Sequence, residues 1–242
     1  VRSGVTVEPV SVDLLDPLLD LERYEGMLVT IPGPLTVSQN FFLGRFGQLT
    51  LSAGGRLETP TNRFRPGAAA RDLAERNARR SLLLDDGSSL QNPNPIPYLG
   101  GDQTVRAGDT VAALTGVIDY GLAAAGSTGP ASYRLQPTRT PTIARTNPRT
   151  PAPDAVGGNL KVASFNVLNY FTAFVDGSTA DGRTGQGCSL GGSVAASNCR
   201  GANNAAEFDR QRRKIVEALA AIDADIVGLI EIQNNGTEAT RD

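Results

Sequence analysis

Asn159-Leu-Lys-Val-Ala-Ser-Phe-Asn-Val-Leu-Asn169 is an apolar, β-branched run that ends in carboxamides. A second run of the same kind lies far downstream, Ala224-Asp-Ile-Val-Gly-Leu-Ile-Glu-Ile-Gln-Asn-Asn-Gly236, and closes on a carboxylate and further carboxamides. Between them lie a loop and one amphipathic helix pattern. Strand, helix and strand, with polar groups at both strand ends, is how an open α/β sheet builds a site. Asn166 and Glu231 occupy those ends. An amide and a carboxylate offer oxygen ligands, which suit a hard cation such as Mg²⁺.

The helix is expected to begin near Asn204, which can cap it, with Glu207 as the reciprocal partner three residues on. Phe208, Ile215, Val216, Leu219 and Ile222 recur at helical spacing and are expected to face the sheet. Arg210, Arg212, Arg213 and Lys214 cover the opposite surface. Glu231 follows five residues of buried-strand character, so its carboxylate is expected to be aimed and partly enclosed. Such a group needs a cation or a hydrogen-bond partner. Asn166 has two readings. It can cap the following turn, or its carbonyl oxygen can meet a metal or metal-bound water while its NH₂ reaches a phosphate oxygen. Asn169 is a second candidate of the same kind.

Tyr170 to Gly201 is a polar, glycine-rich loop that holds both cysteines, Cys188 and Cys199. It contains neither a dinucleotide fingerprint nor a P-loop. A local Cys188–Cys199 disulfide is expected, with free exposed thiols as the alternative. Closing a loop of about a dozen residues stabilises by about 3 kcal/mol in the chain-entropy model, and a disulfide is a sign of export. The absence of histidine argues against a zinc site built on the two cysteines. Arg200, where the loop meets the helix, can reach a phosphate or close an ion pair.

Four blocks occur in order: Ser164-Phe-Asn-Val-Leu-Asn-Tyr-Phe171, Arg200-Gly-Ala, Glu207-Phe-Asp-Arg-Gln-Arg-Arg-Lys-Ile-Val216 and Asp225-Ile-Val-Gly-Leu-Ile-Glu-Ile-Gln-Asn-Asn-Gly236. Together they resemble the opening of the endonuclease/exonuclease/phosphatase (DNase I-like) superfamily, and within it the secreted bacterial nucleases. The resemblance implies that residues 158–242 are the first β-α-β part of a four-layer α/β sandwich. It implies divalent-metal-dependent hydrolysis of phosphodiester bonds in DNA, with RNA as an alternative substrate. Glu231 would be the main metal ligand, helped by Asn166. Asn169, Arg200, Asn234 and Asn235 would meet the substrate. The cofactor would be Mg²⁺, with Mn²⁺ or Ca²⁺ as alternatives.

Nucleases of this kind activate water with histidine and aspartate from later strands. This chain has no histidine and ends shortly after Glu231. A single strand–helix–strand unit also leaves its core half exposed. The expectation is therefore the front part of a longer enzyme, whose partner is the rest of the catalytic domain and which is inactive alone. Two rival readings remain: a non-catalytic nucleic-acid-binding module, and a phosphoesterase acting on another phosphodiester.

The first 136 residues read differently. Short strands are expected around 4–12, 26–31, 35–38, 40–46, 47–52, 81–84, 104–106, 110–120 and 133–136, with Pro32-Gly33-Pro34 ending one and Gly116 breaking another. Ala53-Gly-Gly-Arg56 has the composition of a hairpin turn, and residues 68–80 favour helix. Strands at this spacing suggest a small barrel. The fold class is thus mixed: an all-β, OB-like barrel with a helical insertion, then the α/β segment. The barrel resembles the OB-fold-like domain that precedes the catalytic domain in such nucleases. Phe42 and Phe46 are either stacking residues for a nucleic acid strand or core.

Pro137, Pro141, Pro148, Pro151 and Pro153 mark residues 137–157 as an extended connector. Arg134, Arg139, Arg145 and Arg149 follow one another with no acidic residue between them, and guanidinium forks match phosphate. The net charge of −2 makes no global case for nucleic acid. No apolar run approaches the ~20 residues of a membrane helix. No signal peptide is visible at Val1. The chain is then expected to be cytosolic or a mature or trimmed export product, and the expected disulfide points to export, secreted or periplasmic.

Overall fold

The computed structural model describes residue 4 and residues 6–122, 131–190 and 192–233. The chain divides into two units, Val1–Arg149 and Thr150–Asp242. In the first, β1 (Val10–Ser11) and a 3-10 turn at Leu21–Tyr24 lead into β2 (Leu28–Gln39). There follow α1 (Leu43–Phe46), β3 (Leu49–Ala53), α2 (Pro60–Arg63), α3 (Ala68–Arg79), β4 (Ser81–Leu84), β5 (Thr110–Gly121), β6 (Ser132–Pro137) and β7 (Ile143–Ala144).

β2 pairs with β3, β3 with β4, β4 with β6, β6 with β5, and β5 returns to β2. The five strands close a barrel, and β1 and β7 attach outside it. The β4–β6 pair is parallel and the other four are antiparallel. This is an OB-like barrel, with α2 and α3 inserted between β3 and β4. Alternate residues point inward, so Val29, Ile31, Leu51, Leu84, Ile118 and Leu135 are buried in a single core. Each contributes about 1.5–3 kcal/mol relative to exposure.

Several local expectations give way to barrel closure. Pro32-Gly33-Pro34 does not end β2; the register against β5 shifts there between Pro32 and Leu35, and the strand continues against β3. A Cβ on Gly33 would lie 1.6 Å from the carbonyl oxygen of Ala112, so only glycine permits this approach. Gly116 likewise does not break β5, because it faces β6 with room for no side chain. Asn40 to Phe46 is not strand but a turn and α1. Phe46 is buried and Phe42 half exposed. Ala53-Gly54 leads to the helical insertion rather than to a hairpin. Thr104-Val-Arg106 is irregular loop.

The connector expected at 137–157 also shortens. Pro137 ends β6, Ile143–Ala144 pair with Val111 and Thr110, and Arg145 bonds to Asp109. The first unit therefore claims the chain through Arg149.

In the second unit, β8 (Val162–Tyr170) is followed by β9 (Cys188–Leu190), β10 (Ser193–Ala195) and a 3-10 turn at Ala196–Asn198. α4 (Ala205–Ile222) and β11 (Ile226–Ile232) complete it. β8 and β11 pair in parallel across the helix, and β9 and β10 form a small hairpin. Asn204 caps α4 by accepting the Glu207 N–H at 3.0 Å. The Glu207 carboxylate reaches back to Asn203 N–H at 2.9 Å, one residue earlier than expected. Phe208 anchors the helix against Tyr170, whose ring stacks on it at 4.6 Å, and against buried Phe174. Val216 lies off the packed face and is 58% exposed.

Candidate metal and phosphate site at the β8 and β11 ends

The register of β11 on β8 runs evenly from Ile226–Val162 to Ile230–Asn166, and the next partners are Ile232 and Tyr170. Three residues of β8, Val167 to Asn169, thus oppose Glu231 alone. The mismatch is absorbed by left-handed backbone at Leu168 (φ 57°), Asn169 (φ 52°) and Glu231 (φ 68°). Such conformations cost of order 1–3 kcal/mol each for residues with a Cβ and persist only where surrounding bonds enforce them.

Those bonds converge on Glu231. Asn166 Nδ2 donates to Oε1 at 2.7 Å, and the Asn169 backbone N–H donates to Oε2 at 3.1 Å. Asn166 Oδ1 accepts the Leu168 N–H at 2.9 Å. Asn166 thus caps the turn with its oxygen, as the first reading expects, while its nitrogen orients the Glu231 carboxylate, a contact neither reading included. Asn169 contributes through its backbone.

Two glutamines missing from the sequence-based candidates complete the frame. Gln211, from the packed face of α4, donates Nε2 to the carbonyls of Leu168 at 2.7 Å and Val167 at 3.3 Å. Gln233 Oε1 accepts from Thr172 N–H at 2.6 Å and Ala173 N–H at 3.1 Å, tying the end of β11 to the chain leaving β8. Gln211 sits in the helical register of Phe208 and Ile215, and a polar residue on an apolar face is the signal that could have marked it.

Glu231 and Asn166 are exposed rather than enclosed. The apolar run before Glu231 is itself open: Ile226, Leu229 and Ile230 keep 54%, 39% and 51% of their surface. Each carboxylate oxygen has two lone pairs, and the two hydrogen bonds leave acceptor capacity facing solvent. A single carboxylate fits Mg²⁺, which is commonly held through one or two carboxylates and keeps several waters. Asn166 Oδ1 accepts one backbone N–H and keeps a second lone pair, so Asn166 aims Glu231 through its nitrogen and can still offer an oxygen to the ion. Among the described residues, no three Asp, Glu or Cys side chains gather into a larger ligand set.

Arg200 donates from Nη1 to the carbonyls of Ser197 at 2.9 Å and Cys199 at 3.1 Å, and it forms no ion pair among the described residues. Asn234 and Asn235 lie outside the described residues. Cys188 and Cys199 are joined as a disulfide, which closes the loop beneath Arg200. In the first unit, the arginine run divides. Arg134 is bound by Asp119 at 2.7 Å and Asp85 at 3.4 Å. Arg145 is bound by Asp102 at 3.1 Å and Asp109 at 3.2 Å. Arg139 and Arg149 form no ion pair among the described residues. No helix among the described residues is long and apolar enough to cross a membrane. Compared with protein-family models, curated proteins and solved structures, the chain has no significant match.

Proposed function

We propose that the β8–α4–β11 unit is the metal-holding part of an exported phosphodiesterase of the DNase I-like kind that acts on DNA, with RNA as a second substrate. The supporting observation is the Glu231 carboxylate held by Asn166 Nδ2 and Asn169 N–H at the ends of two parallel strands. Under this reading the unit begins a larger α/β sandwich, and the Cys188–Cys199 bridge suits an oxidising compartment.

Glu231 would hold Mg²⁺, and a bound divalent ion supplies positive charge to a scissile phosphate and to the leaving oxygen. The chain's own groups do the positioning. Asn166 and Asn169 fix the carboxylate, and Gln211 fixes the left-handed turn that presents them. The Arg200 guanidinium keeps donors beyond the Nη1 used on its own loop, and these are available to a phosphate oxygen. These 242 residues include no histidine, so they hold no counterpart to the usual water-activating base. The reading is that they bind metal but do not turn over a phosphodiester alone.

Mn²⁺ titration followed by electron paramagnetic resonance tests this directly. One saturable site that disappears in Glu231→Gln supports the reading, and equal binding by wild type and variant overturns it. Plasmid cleavage above background, lost in Glu231→Gln, would overturn the inactivity of the isolated chain.

A further inference from the structure

In the first unit, four segments line a cleft of about 690 Å³: the turn into α1 with its first residues, Ile96 and Leu99, the loop at 102–106, and the chain after β7. That volume is within the range of small-molecule ligand pockets, roughly 300–1,000 Å³, and exceeds what a lone inorganic anion fills.

The charges in the cleft are unevenly matched. Asp109 is fully buried and organises the walls. Its carboxylate accepts Arg106 N–H at 2.8 Å and Asn147 N–H at 3.2 Å, and it pairs with the Arg145 guanidinium. Arg145 also pairs with Asp102. Its charge is thus satisfied twice. Arg106 and Arg149 line the same cleft and have no carboxylate partner among the described residues. Arg106 Nε is buried without a hydrogen-bond acceptor. A buried guanidinium N–H without an acceptor is costly, and a charged acceptor oxygen is its best partner.

Next in the chain to the lining residue Asn40, Phe41 is 76% exposed and stands edge-on to Phe42 at 5.0 Å. Exposed rings beside a basic groove are the chemistry that holds unpaired bases and their phosphates together. OB-type barrels often bind oligonucleotides on the face of their second and third strands. Here the end of that face is covered: in β3, Ser52 is buried, and Arg80 donates to the carbonyls of Ala53 and Gly55.

We propose that the cleft bearing Arg106 and Arg149 binds a single nucleic acid strand, the arginines taking backbone phosphates and the exposed ring of Phe41, which follows the lining residue Asn40, stacking on a base. This site lies within the barrel unit and does not depend on Glu231.

The full chain is titrated into a fluorescein-labelled oligo-dT of about a dozen nucleotides, with EDTA present, and anisotropy is read across a salt series. Arg106→Gln and Arg149→Gln are each expected to lower the slope of log affinity against log salt by about 0.7. Phe41→Ala is expected to weaken binding at least about fivefold with the slope unchanged. Glu231→Gln is expected to bind as wild type does. Arg149 and Phe41 are exposed, so their variants retain the fold. The proposal is overturned if the oligonucleotide does not bind, or if both arginine variants keep the wild-type slope. It is also overturned if a duplex of the same length binds as tightly, or if inorganic phosphate competes mole for mole, which would make the cleft a small-anion site.

Discussion

Asn166 and Glu231, 65 positions apart in the chain, meet in a 2.7 Å hydrogen bond from amide nitrogen to carboxylate oxygen. The bond sets the direction in which Glu231 offers its remaining lone pairs. Partners that orient a metal ligand typically contribute about 10- to 100-fold to metal affinity. Asn166→Ala is therefore expected to weaken Mn²⁺ binding by that factor, while Glu231→Gln abolishes it. Equal affinity in Asn166→Ala and wild type would show that the carboxylate needs no orienting partner.

Gln211 holds the left-handed turn from below. Removing it leaves the Val167 and Leu168 carbonyls without that donor, at a cost of about 1 kcal/mol for a typical hydrogen bond. Gln211→Ala is expected to speed amide exchange at Leu168 and Asn169 and to leave exchange in the barrel strands unchanged. Unaltered protection at those two amides would show that the turn is held by Asn166 alone.

The Cys188–Cys199 bridge ties β9 to the start of the chain entering α4. Replacing both cysteines by serine is expected to lower the stability of the second unit by about 3 kcal/mol in the chain-entropy model. Urea unfolding followed by amide hydrogen exchange along α4, whose Phe208 stacks on Tyr170, reads that unit. An unchanged midpoint would mean that the loop is already ordered by its backbone hydrogen bonds.

Gly116 faces β6 so closely that an added Cβ would lie 2.2 Å from the Gln136 carbonyl oxygen. Backbone cannot move aside as a side-chain tip does. Gly116→Ala is expected to destabilise the barrel by about 3 kcal/mol, the upper part of the range for overpacking. Gly101→Ala, where a Cβ meets nothing, is the matched control and is expected to unfold as wild type does.

Burial opposes ionisation of Asp119, but hydrogen bonds from Arg134 and Gln136 and the Arg134 charge outweigh it and hold the carboxyl below its usual range. A depressed folded-state value means that the folded protein takes up this proton less readily than the unfolded chain. The stabilisation is complete above the unfolded value of about 3.9 and is lost as pH falls through the folded one. The stability gap between wild type and Asp119→Asn is thus expected to hold from neutral pH down to about pH 4 and to shrink below it. A gap of constant size into the acid range would remove Asp119 from the acid response.

Much of this was legible locally. The alternating runs of the first half pointed to a β barrel, and the Asn204–Glu207 spacing marked the start of α4. The two apolar runs ending at Asn166 and Glu231 announced a strand–helix–strand unit with polar groups at one end. Each of these depends on a periodicity or a cap written within a few residues. Other expectations failed where partners distant in sequence overrode local preference. Pro32-Gly33-Pro34 is a strand-ending sequence by composition, yet β2 passes through it because β3 and β5 supply ladder partners on both sides of the shift.

By itself, then, the amino-acid sequence determined the strand–helix–strand unit, the placement of Asn166 and Glu231 at strand ends, and the local pairing of the two cysteines. Tertiary structure alone decided the closing of the barrel through the parallel β4–β6 pair and the capture of Arg145 by Asp109. It alone decided that Gln211 would hold the turn beside Glu231. Hydrogen-bond and hydrophobic periodicity are properties of neighbouring residues, whereas register, ion pairing and the direction of a carboxylate are set by groups tens of residues away, whose positions exist only once the chain has folded.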